Sequence, residues 1–394
     1  MNISEGDASV KEACDAGVFK RYLLFIFFSN FSAMASFLSL YLVSTGLDLA
    51  LISWLLLIYQ AVKLLLEVPS GYLSDRLGRK MTGLLGLIFI LCYYASLLFG
   101  NTVVLAAGFV SRGLGFSLLS GSFEALYVES VDREKLVRNN TVERAIFYSS
   151  VGLGALLGGF LAAVKAYRLG IWIDVVCVAA ALLVCSGFRD VRQHSYKNAM
   201  GARDAVKLLS CNVSLLCLFG MDCFLAFSFI GLEEYYTLFL GERGLDAQWA
   251  GLAVTAQLLL CAVVGLSVPR LISLFGRRSV FLCGLTVAMA LSFAFLTSGV
   301  SAGVLPILYI LSQIGFVFLS PIKYDLFQKS IPDGLRATFI SMQSLMTSLG
   351  GLCFYGMSGL LSPILGLRGV LLVAFLVTVV SYVPCAIRVS RELT

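Results

Sequence analysis

Long apolar runs separated by short polar turns account for most of the 394 residues of this chain. Twelve such runs read as helices: α1 (residues 19–43), α2 (49–70), α3 (81–99), α4 (102–128), α5 (142–164), α6 (170–187), α7 (208–240), α8 (248–269), α9 (279–298), α10 (304–328), α11 (337–362) and α12 (369–387). About 20 apolar residues are enough to carry a helix across the hydrocarbon core of a bilayer, so each run is read as a transmembrane helix. The longest polar stretch, 187–207, divides the sixth run from the seventh.

The two sides of that stretch echo each other. Gly115-Phe116, Leu119-Ser120, Leu126 and Ser130 recur 200 residues later as Gly315-Phe316, Leu319-Ser320, Leu326 and Ser330. Gly78, after α2, is answered 198 residues on by Gly276, after α8. The expected architecture is therefore an all-α integral membrane protein of 12 transmembrane helices in two six-helix bundles. Residues 1–187 form the first bundle, 188–207 a cytoplasmic linker and 208–394 the second bundle. Parallel repeats of this kind characterise a large class of transporters, whose substrate site lies between the repeats near the midplane.

Composition agrees with a membrane location. Hydrophobic residues make up 59% and charged residues 13% of the chain, against about 25% charged in soluble domains. The net charge of +6 is dispersed over short loops. It forms no basic face for nucleic acid. Of the 29 Lys and Arg residues, 22 fall on the side that holds both termini, only Lys165, Arg168, Arg243 and Arg368 on the other, and Lys63, Arg112 and Lys323 within helices. The positive-inside rule then puts both termini in the cytoplasm of a multi-pass plasma-membrane protein. Trp54, Trp172 and Trp249 fall at the outer interface, as an aromatic belt would place them. The first 18 residues carry no cleavable signal pattern, so α1 is expected to serve as an uncleaved anchor. The 11 cysteines lie almost all in apolar runs without a disulfide or Cys-x-x-Cys pattern, and His194 is the single histidine. Metal ligation and a histidine relay are accordingly not expected.

The stretch Gly71–Lys80, GYLSDRLGRK, joins α2 to α3 as a tight basic turn bounded by glycines. Gly71, Leu73, Asp75, Arg76, Gly78, Arg79 and Lys80 together resemble the signature loop between helices 2 and 3 of the major facilitator superfamily. The resemblance implies a monomeric secondary transporter that works by alternating access and takes a small-molecule substrate. It also implies that the loop acts as a conformational switch. Other runs resemble the drug-efflux-like branch of the family: Glu67-Val68-Pro69-Ser70-Gly71, the Glu124-Ala125-Leu126 stretch, and Pro332 with Arg336-Ala337-Thr338. Arg112 resembles the arginine of the family's helix-4 motif, with Phe116 where that motif has glycine. Gly154, Gly158 and Gly159 resemble the glycines of its antiporter motif, with Ala155 where proline stands.

Charges inside a bilayer cost at least about 2.5–3.5 kcal/mol and usually mark a cavity or a partner. Lys63 and Glu67 lie one turn apart on α2 and can pair, with Tyr59 on the same stripe. Arg112 can act on a nearby carboxyl, and Glu124 can gate the inner side or carry a proton. On α7, Asp222 and Glu233 are about 20° out of phase and share a face with Phe229 and Tyr236, with Glu234 beside it. Acid and aromatic groups along one face suit a lipophilic cation, and Asp222 is the central proton-coupling candidate beside Arg112 and Glu124. Gln313, Tyr324 and Gln343 complete the expected cavity, while Lys323 is expected to snorkel to the interface.

Two transport readings follow. One is a proton-coupled antiporter exporting lipophilic cations, a multidrug efflux function. The other is a facilitator for a specific solute, an anionic metallophore or an amino-acid-like nutrient held by Lys63 and Arg112. No nucleophile–base pair, metal cluster or phosphate loop suggests an enzyme. No cofactor is expected, and pumping would draw on a proton gradient.

Overall fold

The computed structural model describes residues 3–99, 101–120, 133–188, 208–297, 299–331 and 336–393. Every regular element among the described residues is helical. Ten helices among them are long and apolar enough to cross a membrane. Two features reduce twelve expected spans to ten. The span predicted for α1 is broken: Ile3–Asn30 and Leu38–Ser44 are separate helices with a single 3-10 turn, Met34–Ser36, between them. At the other end, α11 and α12 form one helical stretch, Arg336–Ser390, interrupted at Gly366 (φ 64°, ψ −179°) into 336–365 and 367–390.

The remaining spans are α2 (Leu49–Leu77), α3 (Arg79–Leu97), α4 (Thr102–Leu119), α5 (Arg133–Ala163), α6 (Tyr167–Ser186), α7 (Val213–Glu242), α8 (Ala247–Phe275), α9 (Arg277–Thr297) and α10 (Leu305–Ser330). Asparagine caps two of them. Asn101 accepts from the Val103 amide at the start of α4, and Asn212 from the Ser214 and Leu215 amides at the start of α7, each satisfying donors that have no partner within the helix.

The signature stretch is not an open turn. Helix α2 continues through it to Leu77 and α3 starts at Arg79, leaving Gly78 alone as the break (φ 90°, ψ 146°). Its counterpart Gly276 separates α8 from α9 with almost the same backbone (φ 80°, ψ 154°). The hydrogen bonding is also repeated. Gly78 N–H donates to Ser74 at 3.1 Å and Gly276 N–H to Ile272 at 2.9 Å, while the two carbonyls receive Thr82 and Val280 at 3.1 and 3.2 Å. Such backbone angles are essentially reserved to glycine, which is why the sequence repeats glycine there. Each preceding helix also carries an internal proline, Pro69 and Pro269.

A second pair of glycine contacts explains the echo between the halves. A Cβ on Gly115 would lie 2.8 Å from the Gly86 carbonyl, and one on Gly284 would lie 2.8 Å from the Gly315 carbonyl. Helices α3 and α4, and again α9 and α10, thus touch backbone to backbone. Small residues permit this approach, which supplies packing energy in a lipid environment where the hydrophobic effect does not.

The chain forms two compact units. One comprises Met1–Ser36 and Ala61–Ser195; the other comprises Phe37–Gln60 and Tyr196–Thr394. The second piece of α1 and the first half of α2 therefore belong with α7–α12. The core of this second unit gathers Phe219, Phe281, Phe327, Phe339 and Tyr382, with Phe219 ring-to-ring with Phe327 at 5.5 Å and Phe339 at 5.8 Å.

Candidate functional site

In the first unit the break in α1 is built by α5 and α6. Asp174 of α6 is fully buried. Its carboxylate accepts from Ala33 N–H at 2.7 Å, Met34 N–H at 3.0 Å and Ser32 Oγ at 2.9 Å. These are the amides that a helix interruption leaves without a partner, so the carboxylate closes the account that the break opens. Ser32 also lies 3.3 Å from the Tyr94 hydroxyl. From the other side α5 presents small residues. A Cβ on Gly154 would sit 2.8 Å from the Ser32 carbonyl, and one on Gly158 would overlap the Ala33 carbonyl; Ser150 donates to the Phe27 carbonyl at 2.5 Å. The α5 glycines thus make room for the broken α1. Asp174 was missing from the sequence-based candidates. An acid in an apolar helix was the available signal, but nothing in the sequence pairs residue 174 with residues 32–34.

At the basic end of this unit, Lys80 donates to the Ser186 carbonyl and Arg21 to the Gly187 carbonyl, each at 2.6 Å. Two cations hold the last carbonyls of α6, where the helix dipole favours positive charge. Arg76 lies over the Tyr72 ring at 4.6 Å. Gly71 has open space around it, and Arg79 begins α3. The side chain of Asp75, and the whole of Glu124, lie outside the described residues.

Lys63 corrects an expectation. Among the described residues it makes no ion pair with Glu67 or any other acid. It lines a cavity of about 370 Å³ together with Arg144 and Glu143 of α5. The rest of the wall mixes rings (Tyr22 and Phe25 of α1, Phe116 of α4, Phe147 of α5) with the polar side chains of Ser29, Asn30 and Ser120. Glu67 is half-buried farther along α2. Arg112 is not in the lining. Its guanidinium lies 5.2 Å from the Tyr93 ring and 5.9 Å from the Phe116 ring.

In the second unit, Asp222 of α7 is buried and ion-paired with Lys323 of α10, and Gln343 Nε2 of α11 donates to its other oxygen at 2.9 Å. Two expectations change here. Asp222 is not a lone acid facing a ligand, and Lys323 does not snorkel away from it. Three helices meet because opposite charges buried in a membrane protein find each other. The aromatic half of the expected cation face is occupied. Tyr236 is buried with its ring 4.2 Å from that of Tyr309, and Phe229 meets Phe316 edge-on at 5.5 Å. Glu233 is exposed. Glu234 receives Ser39 Oγ at its backbone carbonyl, 2.8 Å, and more loosely at its carboxylate, 3.5 Å. Gln313 is buried at 3% exposure beside Ser312, Tyr324 is 61% exposed, and Tyr59 is half-buried.

A polar seam that the sequence did not suggest joins the first half of α2 to α7 and α11. Ser53 Oγ is 2.8 Å from the Tyr235 hydroxyl and 2.9 Å from Ser358 Oγ, and Gln60 Nε2 donates to the Ser348 carbonyl at 3.1 Å. Near the basic ends of α9 and α10, Asp325 joins Arg277 at 2.5 Å and Lys329 at 2.8 Å.

Broken and paired helices of this kind, with buried charges on facing spans, define a multi-pass membrane transporter. The sequence profile of the Major Facilitator Superfamily matches residues 22–354, and the chain belongs to that family. It is 22% identical over 356 residues to the uncharacterized MFS-type transporter YxaM of Bacillus subtilis (strain 168), covering 85% of this chain and 86% of that protein. Among solved structures it is similar to a bacterial homologue of the iron transporter ferroportin in the inward-facing state, with TM-score 0.75 and 19% identity, covering 95% of this chain and 98% of that one. It is likewise similar to the nucleoside transporter NupG, with TM-score 0.74 and 14% identity, covering 94% and 98%. The protein is therefore a secondary transporter of small molecules and not an enzyme.

Proposed function

We propose that this transporter couples solute movement to protons, and that Asp222, Lys323 and Gln343 are its coupling centre. The observation that carries the reading is the buried Asp222–Lys323 pair with Gln343 on the second carboxylate oxygen. A proton taken up by Asp222 removes the charge that Lys323 answers. Leaving one member of a buried pair without its partner costs about 3–5 kcal/mol. That is enough to shift a balance between two conformations by about two to almost four powers of ten. Protonation and deprotonation on opposite sides of the membrane would then drive alternating access. Arg112 and Glu124 are the coupling candidates of the first half, and the α2–α3 junction with Lys80 on the α6 terminus is the proposed switch. We place both termini in the cytoplasm at the plasma membrane.

The cargo reading shifts with the geometry. A lipophilic cation exported against protons would rely on Glu233, since Asp222 is answered by Lys323 and the neighbouring rings are packed. A specific solute with an anionic group is favoured by Lys63, which makes no ion pair among the described residues and lines a cavity with Arg144 and Glu143. The neighbours in fold carry nucleosides or resemble iron transporters, so the fold does not choose between these.

The test is flux in proteoliposomes under an imposed pH gradient, with cationic dyes, aromatic carboxylates, amino acids and sugars. Uphill movement of at least one compound, collapsing with a protonophore, is expected. Asp222→Asn should abolish accumulation while downhill exchange persists. Accumulation by Asp222→Asn equal to the unaltered protein would overturn the assignment, and so would flux indifferent to the gradient for every compound. The direction of uphill flux tests the antiport mode.

A further inference from the structure

We infer that the cavity of the first unit is a binding site for a small organic carboxylate with an apolar, ring-bearing body. The inference deepens the anionic-solute reading and rests on it. It draws on three features of one space. Lys63 from α2 and Arg144 from α5 reach the same cavity from different helices, and Glu143 is the one acid among the described residues that line it. The formal balance among those residues is one net positive charge. Lys63 is half-buried and makes no ion pair among the described residues. An unanswered ammonium group inside a membrane protein is costly, and the cost is relieved by a ligand that brings the opposite charge. Arg144 adds planar donors suited to a carboxylate.

The remaining wall selects the rest of the ligand. Phe25, Phe116 and Phe147 offer ring faces and edges rather than hydrogen bonds. An aromatic ring buries apolar surface against these three rings and meets their edges, while Ser29, Asn30 and Ser120 supply the polar part of the same wall. The volume, about 370 Å³, lies in the range of small-molecule sites, about 300–1,000 Å³, and toward its lower end. A single-ring carboxylate fits this better than a large dye. Asn30 is partly committed, since its amide donates to the Ile26 carbonyl at 2.9 Å and to Ser29 at 3.2 Å.

The experiment is equilibrium binding to the full-length protein in nanodiscs by titration calorimetry, with phenylacetate, phenylalanine and tetraphenylphosphonium as probes. Phenylacetate is expected to bind, and Lys63→Met and Arg144→Met should each weaken it at least tenfold. Lys63→Arg, which restores the charge, should recover most of the affinity and serves as the folding control alongside monodisperse elution. Phenylalanine binding more tightly than phenylacetate, with the difference lost in Glu143→Gln, would extend the class to zwitterions and equally supports the site. The inference is overturned if neither carboxylate binds, if Lys63→Met and Arg144→Met bind phenylacetate like the unaltered protein, or if the phosphonium cation alone binds. Binding is read without any gradient. A failure of proton coupling at Asp222 would therefore leave this result untouched, and the reverse also holds.

Discussion

At the scale of single residues, the molecule shows how an acid in a membrane helix earns its place. Asp174 and Asp222 have the same chemistry and different partners. Asp174 faces backbone amides and a hydroxyl, with no cation among its hydrogen-bond partners. Asp222 faces a lysine and an amide side chain. The first arrangement closes a break in one helix and the second ties three helices together. Asp174→Ala should leave the Ala33 and Met34 amides buried without acceptors, at about 1–3 kcal/mol each. The expected outcome is a clear fall in melting temperature in detergent, with a smaller fall for Asp174→Asn, which keeps one acceptor oxygen. Thermal unfolding followed by cysteine-reactive dye or by light scattering checks the order. Equal stability of Asp174→Ala and the unaltered protein would show that the α1 break does not depend on this carboxylate. Neither partner set was legible beforehand. Lys323 lies 101 residues from Asp222 and Ser32 lies 142 from Asp174, and helical spacing says nothing about contacts at such separations.

At the scale of elements, glycine decides how close two helices come. Gly115 and Gly315 occupy equivalent positions in the two halves. A Cβ on Gly115 would meet Ile90 Cγ1 at 2.6 Å, and one on Gly315 would meet the Ala288 backbone nitrogen at 2.5 Å. Overpacking of this sort costs about 1–3 kcal/mol. Gly115→Ala and Gly315→Ala should both lower the melting temperature. Gly265→Ala, whose added carbon would find only Val317 at 3.7 Å, should leave it unchanged or raise it slightly, because alanine is the better helix former. A uniform response across the three would remove the packing explanation. The elements themselves were largely legible, since apolar runs bounded by polar turns give membrane helices directly. The boundaries that failed were those set by backbone geometry. Helix α2 runs seven residues past its predicted end because the signature stretch satisfies its own amides as a helix up to Gly78. Helix α1 breaks within an apolar run because α5 and α6 supply what the interruption needs.

At the scale of the whole molecule, transport requires contacts that exist in one state and part in another. The seam of Ser53, Tyr235 and Ser358 joins the first half of α2 to α7 and α11 within the second unit, and whether it must part is open to direct test. Its hydroxyls approach to 2.9 Å, so cysteines placed there would bring their sulfur atoms near each other. In a background stripped of native cysteines, Ser53→Cys with Ser358→Cys should crosslink on oxidation and arrest flux, and reductant should restore it. Full transport by the oxidised protein would mean that α2 and α11 need not separate. Proteoliposome flux before and after reduction reads the outcome.

The amino-acid order alone determined that the chain is a series of apolar helices, that its two halves repeat and which family it belongs to, because these depend on local composition, on period and on a short motif such as Gly71–Lys80. Tertiary structure alone decided that Asp222 is answered by Lys323, that Asp174 holds α1 open, and that Lys63 turns to a cavity shared with Arg144. The physical reason is one of range. Burial and helical propensity act between near neighbours in the chain, whereas a charge in a low-dielectric interior is governed by whichever groups the packing brings within a few ångströms, however far apart they stand in sequence.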